Sequence, residues 1–146
     1  MSGLVTFRLG DREYATPLAA VREVVRLEGL VDLPCMTPPL AGVLDLRGTA
    51  LPVLDLRPAE VPGGGARGDV LVLEDPADAI EHGSAVGVAV DQVRAVVADE
   101  DLPRAGAGEA EVLPSYVLDV LRGPHGVVFL VDLLLMVDAT RAGPQT

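Results

Sequence analysis

The chain has no tryptophan, one cysteine (Cys35), two histidines (His82 and His125) and only 3% aromatic residues. It also has no lysine: arginine supplies all 11 cations, against 22 acidic residues, for a net charge of −11. Each scarcity excludes something. The charge balance argues against binding a phosphate backbone or an anionic membrane surface. So few aromatics leave no platform on which nucleic-acid bases could stack. A single cysteine makes no internal disulfide, and Cys35 reads as a small apolar residue rather than a nucleophile. The histidines have no metal-ligand spacing and read as exposed turn residues, one in a polar hairpin loop and one in "GPHG". Ser2, Ser84 and Ser115 lack the strand-to-helix context of a nucleophile elbow. The opening "MSGLVTFRLGDREY" has no basic head followed by an apolar run, so it is no secretory signal. The greasiest stretch, "GVVFLVDLLLMV", is interrupted by Asp132 and too short to span a bilayer. A cytoplasmic, non-enzymatic chain is expected, with no metal, no cofactor, no nucleic-acid partner and no membrane insertion.

What is present is aliphatic. Of 146 residues, 49% are apolar, and valine-rich runs favour strands. The length fits one domain, or two very small ones sharing a core. "LVTFRL" alternates, with Leu4, Thr6 and Arg8 on one face and Val5, Phe7 and Leu9 on the other. "GDRE" turns the chain into a second strand, "YATPL". "AAVREVV" is expected to open as one helical turn before extending. "LPCMTPPLAG" is a proline-rich bend. "GVLDLRG" and "TALPVLDLR" make two strands around a tight turn at Arg47–Gly48, with Pro52 suggesting an edge or a bulge. The glycine run at 63–65 precedes a strand rather than a helix, so it reads as a connector, not a phosphate cradle. "DVLVLE" and "AVGVAVD" form a third hairpin, and "LLLMVDATR" a closing helix.

Two segments occur twice, in the same order. "AAVREVV" at Ala19 is echoed by "DQVRAVV" at Asp91, and "VLDLRG" at Val43 by "VLDVLRG" at Val117. Two copies are too few for a solenoid. They predict a mostly β fold of two small five-stranded β-barrel subdomains, related by a pseudo-twofold and packed on a shared apolar core. The first barrel is expected over roughly 12–66 and the second over roughly 67–140, with the N-terminal strand able to cross between them. The copies also differ. Glu23 corresponds to Ala95, whereas Arg47 and Arg122 both remain, so only the first copy can pair Glu23 with Arg47. An exposed ion pair adds only about 0–1 kcal/mol, so positioning a partner explains its retention better than stability does.

With these residues in view, the order of "VREVV", "GVLDLRG", "LPVLDLR", "VGVAVDQV" and "VFLVDL" resembles the CheW family of bacterial chemotaxis coupling proteins. The resemblance runs from about Leu4 to Met136, and "GVLDLRGTALPVLDLR" is its most specific part. It implies two five-stranded barrels and an adaptor joining the cytoplasmic tip of a methyl-accepting chemoreceptor to the regulatory domain of a CheA-type histidine kinase. It further implies a groove between the barrels that receives the receptor's helical hairpin. Val21, Val24 and Val25 would line it from one barrel and Val93, Val96 and Val97 from the other, with Glu23 and Arg47 paired beside it. Gly42 and Gly48 match the family's tight turns. The chain departs from the family pattern at Asp45, usually asparagine, and in "YVLDVLRG", which is bulkier than usual. These departures bear on kinase coupling more than on receptor binding. Two other expectations stand beside this one: a CheW-like module with a single partner in a motility or developmental pathway, and a small-molecule-binding β-barrel. The valine-rich seam offers the latter few polar groups.

Overall fold

The computed structural model describes residues 3–32, 34, 40–57, 67–74, 85–105 and 113–142. The expectations for Ser2, Cys35, the glycine run at 63–65, His82 and Ser84 lie outside the described residues.

The early alternation produces β1 (Gly3–Leu9) and β2 (Arg12–Pro17), turning at Gly10 with φ 64°. A single 3-10 turn, Leu18–Ala20, then leads into β3 (Val21–Arg26). The hairpins that follow are β4 (Leu40–Leu46) with β5 (Thr49–Asp55), and β6 (Asp69–Glu74) with β7 (Ala85–Val90). After β8 (Gln92–Ala98) come β9 (Val117–Gly123), β10 (Gly126–Val131) and the helix α1 (Leu133–Ala142).

Among the described residues these strands form two five-stranded sheets, ordered β8-β1-β2-β10-β9 and β3-β6-β7-β5-β4. Neither sheet closes on itself, so the expected barrels are open sheets. The two orders are the same order. Replacing each strand of the first sheet by its counterpart in the other repeat gives the second.

Register carries the equivalence to single residues. In the first sheet Leu4 pairs with Val97, Val5 with Val96 and Phe7 with Val93; in the second, Val70 pairs with Val25, Leu71 with Val24 and Leu73 with Val21. Both ladders slip at the same step, between Thr6 and Phe7 and between Val21 and Glu23. The parallel pairs Ala15–Leu130 and Val53–Gly87 also correspond.

A cut at 66/67 separates the repeats, but the sheets follow a different division. β1 and β2 pair with the second repeat's β8 and β10, while β6 and β7 pair with the first repeat's β3 and β5. Each repeat lends its first hairpin to the other's sheet. The chain therefore crosses between sheets at Leu18–Ala20 and again at Asp91, a one-residue crossing.

Three apolar clusters result. The largest lies between the sheets and draws Val5, Phe7 and Leu9 from β1, Leu71 and Leu73 from β6, Val88 and Val90 from β7, and Leu133 and Val137 from α1. The other two fill the inner side of one sheet each, around Leu44, Leu51 and Val72 and around Leu4, Ala15 and Leu121. Each fully buried aliphatic side chain contributes about 1.5–3 kcal/mol relative to exposure. Both faces of β1 are thus covered, which is why Leu4 and Thr6 are as buried as Val5 and Phe7.

Pro52 is neither at an edge nor at a bulge. β5 is interior, between β7 and β4. Pro52 faces Val43, whose backbone N–H and C=O are both bonded to Val31, so that pair exchanges no ladder bond. Parallel pairing with β7 begins only at Val53, so the missing N–H of proline is not needed on either side.

Candidate functional site

β3 and β8 are edge strands of different sheets, and both border the core between them. Val21 and Val93, which correspond under the repeat, are partly buried and pack against that core. Near one end of these strands Arg26 and Leu27 line the same open cleft, of about 810 Å3, as Gln92 and Val93. At the other end Gly3 sits between Leu18 and the backbone of Val97. The two edges therefore run along the sides of one crease whose floor is the shared core.

Opposed residues in paired strands project to the same side of a sheet. Val24 opposes Leu71 and Val96 opposes Val5, both buried in the shared core, so Val24 and Val96 project on the crease side. They are 42% and 62% exposed. Val25 and Val97 oppose Val70 and Leu4 and pack into the separate cores of their own sheets, not into the crease. Of the six expected valines, the structure brings Val21, Val24, Val93 and Val96 to one surface.

Glu23 and Arg47 do meet. The Arg47 guanidinium donates from both terminal nitrogens to the Glu23 carboxylate, at 2.9 and 2.6 Å. This bidentate contact holds the Glu23 carboxyl below its ordinary value and raises Arg47 above its own. Arg47 and Gly48 have φ of 50° and 87°, the signature of a tight hairpin turn with both central residues left-handed. Such a backbone is unfavourable for arginine, so its side chain is held at some cost in local strain. Asp45 supports the turn by accepting the Gly48 N–H at 2.8 Å. An asparagine oxygen would do the same, so this departure from the family pattern leaves the turn's chemistry unchanged. Gly42 lies at a slip in the β4–β5 ladder rather than in a turn, and a Cβ there would come within 2.5 Å of the Val31 carbonyl.

The sequence equivalence of Arg47 with Arg122 does not hold in space. Leu44 opposes Leu51 as Leu121 opposes Val128, and Leu46 opposes Thr49 as Gly123 opposes Gly126. Pro124 and His125 therefore occupy the turn that Arg47 and Gly48 occupy in the first repeat, and Arg122 lies within β9. The echoing "LRG" letters align two residues out of structural register. Opposite Ala95 the Thr6 hydroxyl donates to the Ala95 carbonyl at 3.3 Å.

Sequence reasoning missed Leu18, 40% exposed at one end of the crease, and Arg8 and Arg26 at the other. Arg26 had a signal: it follows Val24 by two residues on a strand and so shares its side. Among the described residues no group of three His, Cys, Asp or Glu side chains is placed to hold a metal ion, and no helix is long and apolar enough to cross a membrane.

Comparison with known proteins agrees with this architecture. Residues 3–141 match the family model for the CheW-like domain. The chemotaxis protein CheW of Treponema pallidum is 24% identical over 138 residues, covering 89% of this chain and 78% of that one. The probable chemotaxis protein CheW of Rhizobium etli is 36% identical over a shorter stretch of 53 residues, 36% of this chain and 34% of that one. Among solved structures, the scaffolding protein TtCheW of Thermoanaerobacter tengcongensis superimposes with a TM-score of 0.67 at 19% identity, over 90% of this chain and 84% of that one. Two open sheets exchanging their first hairpins, a valine-flanked crease between them and a family match across nearly the whole chain make this protein a member of the CheW-like domain family.

Proposed function

We propose that this chain is a non-enzymatic chemosensory adaptor acting on the cytoplasmic side of the membrane. In this reading the crease receives the helical tip of a chemoreceptor, and a separate surface meets the regulatory domain of a CheA-type histidine kinase. The observation that carries it is the pair Val24 and Val96: equivalent positions of the two repeats, both exposed, both beside the shared core. A helix seated in an apolar groove gains its affinity from a few buried aliphatic anchors, and the crease offers that geometry without needing to open the core. The comparisons support the scaffold role through the family and through relatives named as chemotaxis and scaffolding proteins.

Calorimetric titration of the full chain with a receptor-tip hairpin, and separately with a kinase regulatory domain, tests both halves of the proposal. Binding to neither removes it. Val24→Asp should abolish hairpin binding while the melting transition stays within about 0.5 kcal/mol of wild type, as surface substitutions do. Unchanged hairpin affinity in that variant would move the docking surface away from the crease.

A further inference from the structure

The repeat predicts a crease with twofold symmetry, whose two ends would be alike. They are not. The register that pairs Val24 with Leu71 and Val96 with Val5 also makes Arg26 the counterpart of Ala98, and Arg8 the counterpart of Glu74. Arg8 and Arg26 stand at the same end, lining the cleft of about 810 Å3 together with Arg67. Of the carboxylates in that cleft, Asp69 already accepts the Val93 N–H at 2.8 Å and Asp91 the Gly10 N–H at 2.6 Å. Glu28 is exposed at the rim. Arg26 and Arg67 have no ion-pair partner among the described residues. At the opposite end Ala98 stands in the place of Arg26, the exposed carboxylate Glu74 in the place of Arg8 and Gly3 in the place of Asp69, with the exposed Leu18 beside them.

Resting on the proposed function above, we infer that the crease is directional: its arginine-lined end takes carboxylates on the docked helix and so fixes which way that helix runs. Arg26 lies two strand residues beyond Val24, about 7 Å. A helix along the crease covers that distance in roughly four or five residues, a little over one turn. The occupant is thus an amphipathic helix with an aliphatic anchor near its middle and acidic side chains about one turn to one side. Charge-assisted contacts between guanidinium and carboxylate supply orientation and specificity. The chain's overall charge of −11 disfavours acidic partners in general, so a local cluster of arginines is what would hold one.

The test uses a synthetic amphipathic peptide of about four turns with a central leucine anchor and three glutamates in its last turn, beside a version carrying glutamines there. Calorimetry against the full chain should show the glutamate peptide binding about tenfold tighter, the gain fading as salt rises through the screening range. A nitroxide on the acidic end should broaden the amide resonances of Leu27 and Gly68 and spare those of Gly3 and Leu18. In Arg26→Glu the preference should reverse toward a lysine-bearing peptide. Equal affinity of the two peptides, or broadening at both ends, overturns directionality while leaving the crease as docking surface intact. If neither peptide binds although a receptor-tip hairpin does, directionality alone falls. If the hairpin also fails, the crease falls as the receptor-docking surface, and the proposed function falls with it if the kinase regulatory domain does not bind either.

Discussion

The first sheet contains Phe7, Tyr14 and Phe129; Phe7 stacks on Tyr14 at 5.7 Å, and Phe129 packs tilted against Tyr14 at 5.8 Å. The second sheet has Leu73 at the counterpart of Phe7 and Val86 at that of Tyr14. Three of the chain's four aromatic rings therefore sit in one sheet. The same backbone order tolerates either filling, because register and bulges are set by alternation and turns rather than by particular side chains. What differs between the sheets is how full they are, where a polar group is left over, and which charges they bring to each end of the crease.

The largest effect should come from removing a ring at the junction. Phe7 is fully buried in the shared core and stacked on Tyr14. Phe7→Ala should cost about 3–5 kcal/mol in denaturant unfolding. Because each sheet holds a hairpin from the other repeat, the loss should appear as one cooperative transition. Two separate transitions would mean that the exchanged hairpins do not bind the sheets into a single unit.

Next comes a position where the sheets differ by one methyl group. Ala15 is fully buried in the first sheet, and its counterpart in the second is Gly87. A Cβ at Gly87 would lie 2.7 Å from a Val70 methyl and 3.0 Å from one of Leu51. Gly87→Ala should therefore destabilise by about 1–3 kcal/mol, the range for overpacking a filled core. A neutral result in urea unfolding would show that the second sheet relaxes more readily than its packing suggests.

These differences mark how far the amino-acid pattern could be read. The strands were legible because "LVTFRL" alternates and "DVLVLE" is a short apolar run bounded by polar residues, and the Arg47–Gly48 turn because its flanks are apolar strands. The helical turn before β3 and the closing helix were legible as well. Sheet membership was not. Which hairpin joins which sheet is decided by long-range pairing, and the crossing from β7 to β8 takes a single residue, Asp91, with no proline or glycine to flag it. In the crease, "VREVV" exposed the two valine runs, yet it could not separate Val24 from Val25. Adjacent strand residues point to opposite sides, and the bulge after Val21 resets the count. The echo of "LRG" misled for a related reason: letters repeat, but burial of Leu44 and Leu121 fixes the register.

A third change would make the sheets more alike. Thr16 is fully buried in the first sheet and its hydroxyl has no hydrogen-bond partner among the described residues. Its counterpart in the second sheet is Val88, a member of the shared core. An unsatisfied buried hydroxyl costs about 1–3 kcal/mol. Thr16→Val keeps the shape and removes the orphan, and should raise stability by about 1 kcal/mol in the same unfolding assay. A loss instead would show that the hydroxyl is bonded in solution.

The smallest expected effect belongs to the ion pair present in only one repeat. Glu23 and Arg47 lie at the protein surface, so their bond contributes little to folding. Its sign with pH is nevertheless fixed. The folded Glu23 carboxyl titrates below its ordinary value of 4.5 because Arg47 donates two hydrogen bonds to it. The stabilisation it gives is complete above pH 4.5 and fades as the pH falls through the lowered folded value. Melting curves of wild type and Glu23→Gln should therefore differ slightly at pH 7 and converge on acidification below 4.5. Arg47→Asn should behave differently from Glu23→Gln, since asparagine tolerates the left-handed backbone that strains arginine. It loses the bond but relaxes the turn, leaving the melting temperature at or above wild type. If Arg47→Asn also binds a receptor-tip hairpin as well as wild type does, the arginine is there for neither stability nor partner. Weaker binding by a protein at least as stable would show that the strain is retained to hold Glu23 in place for a partner.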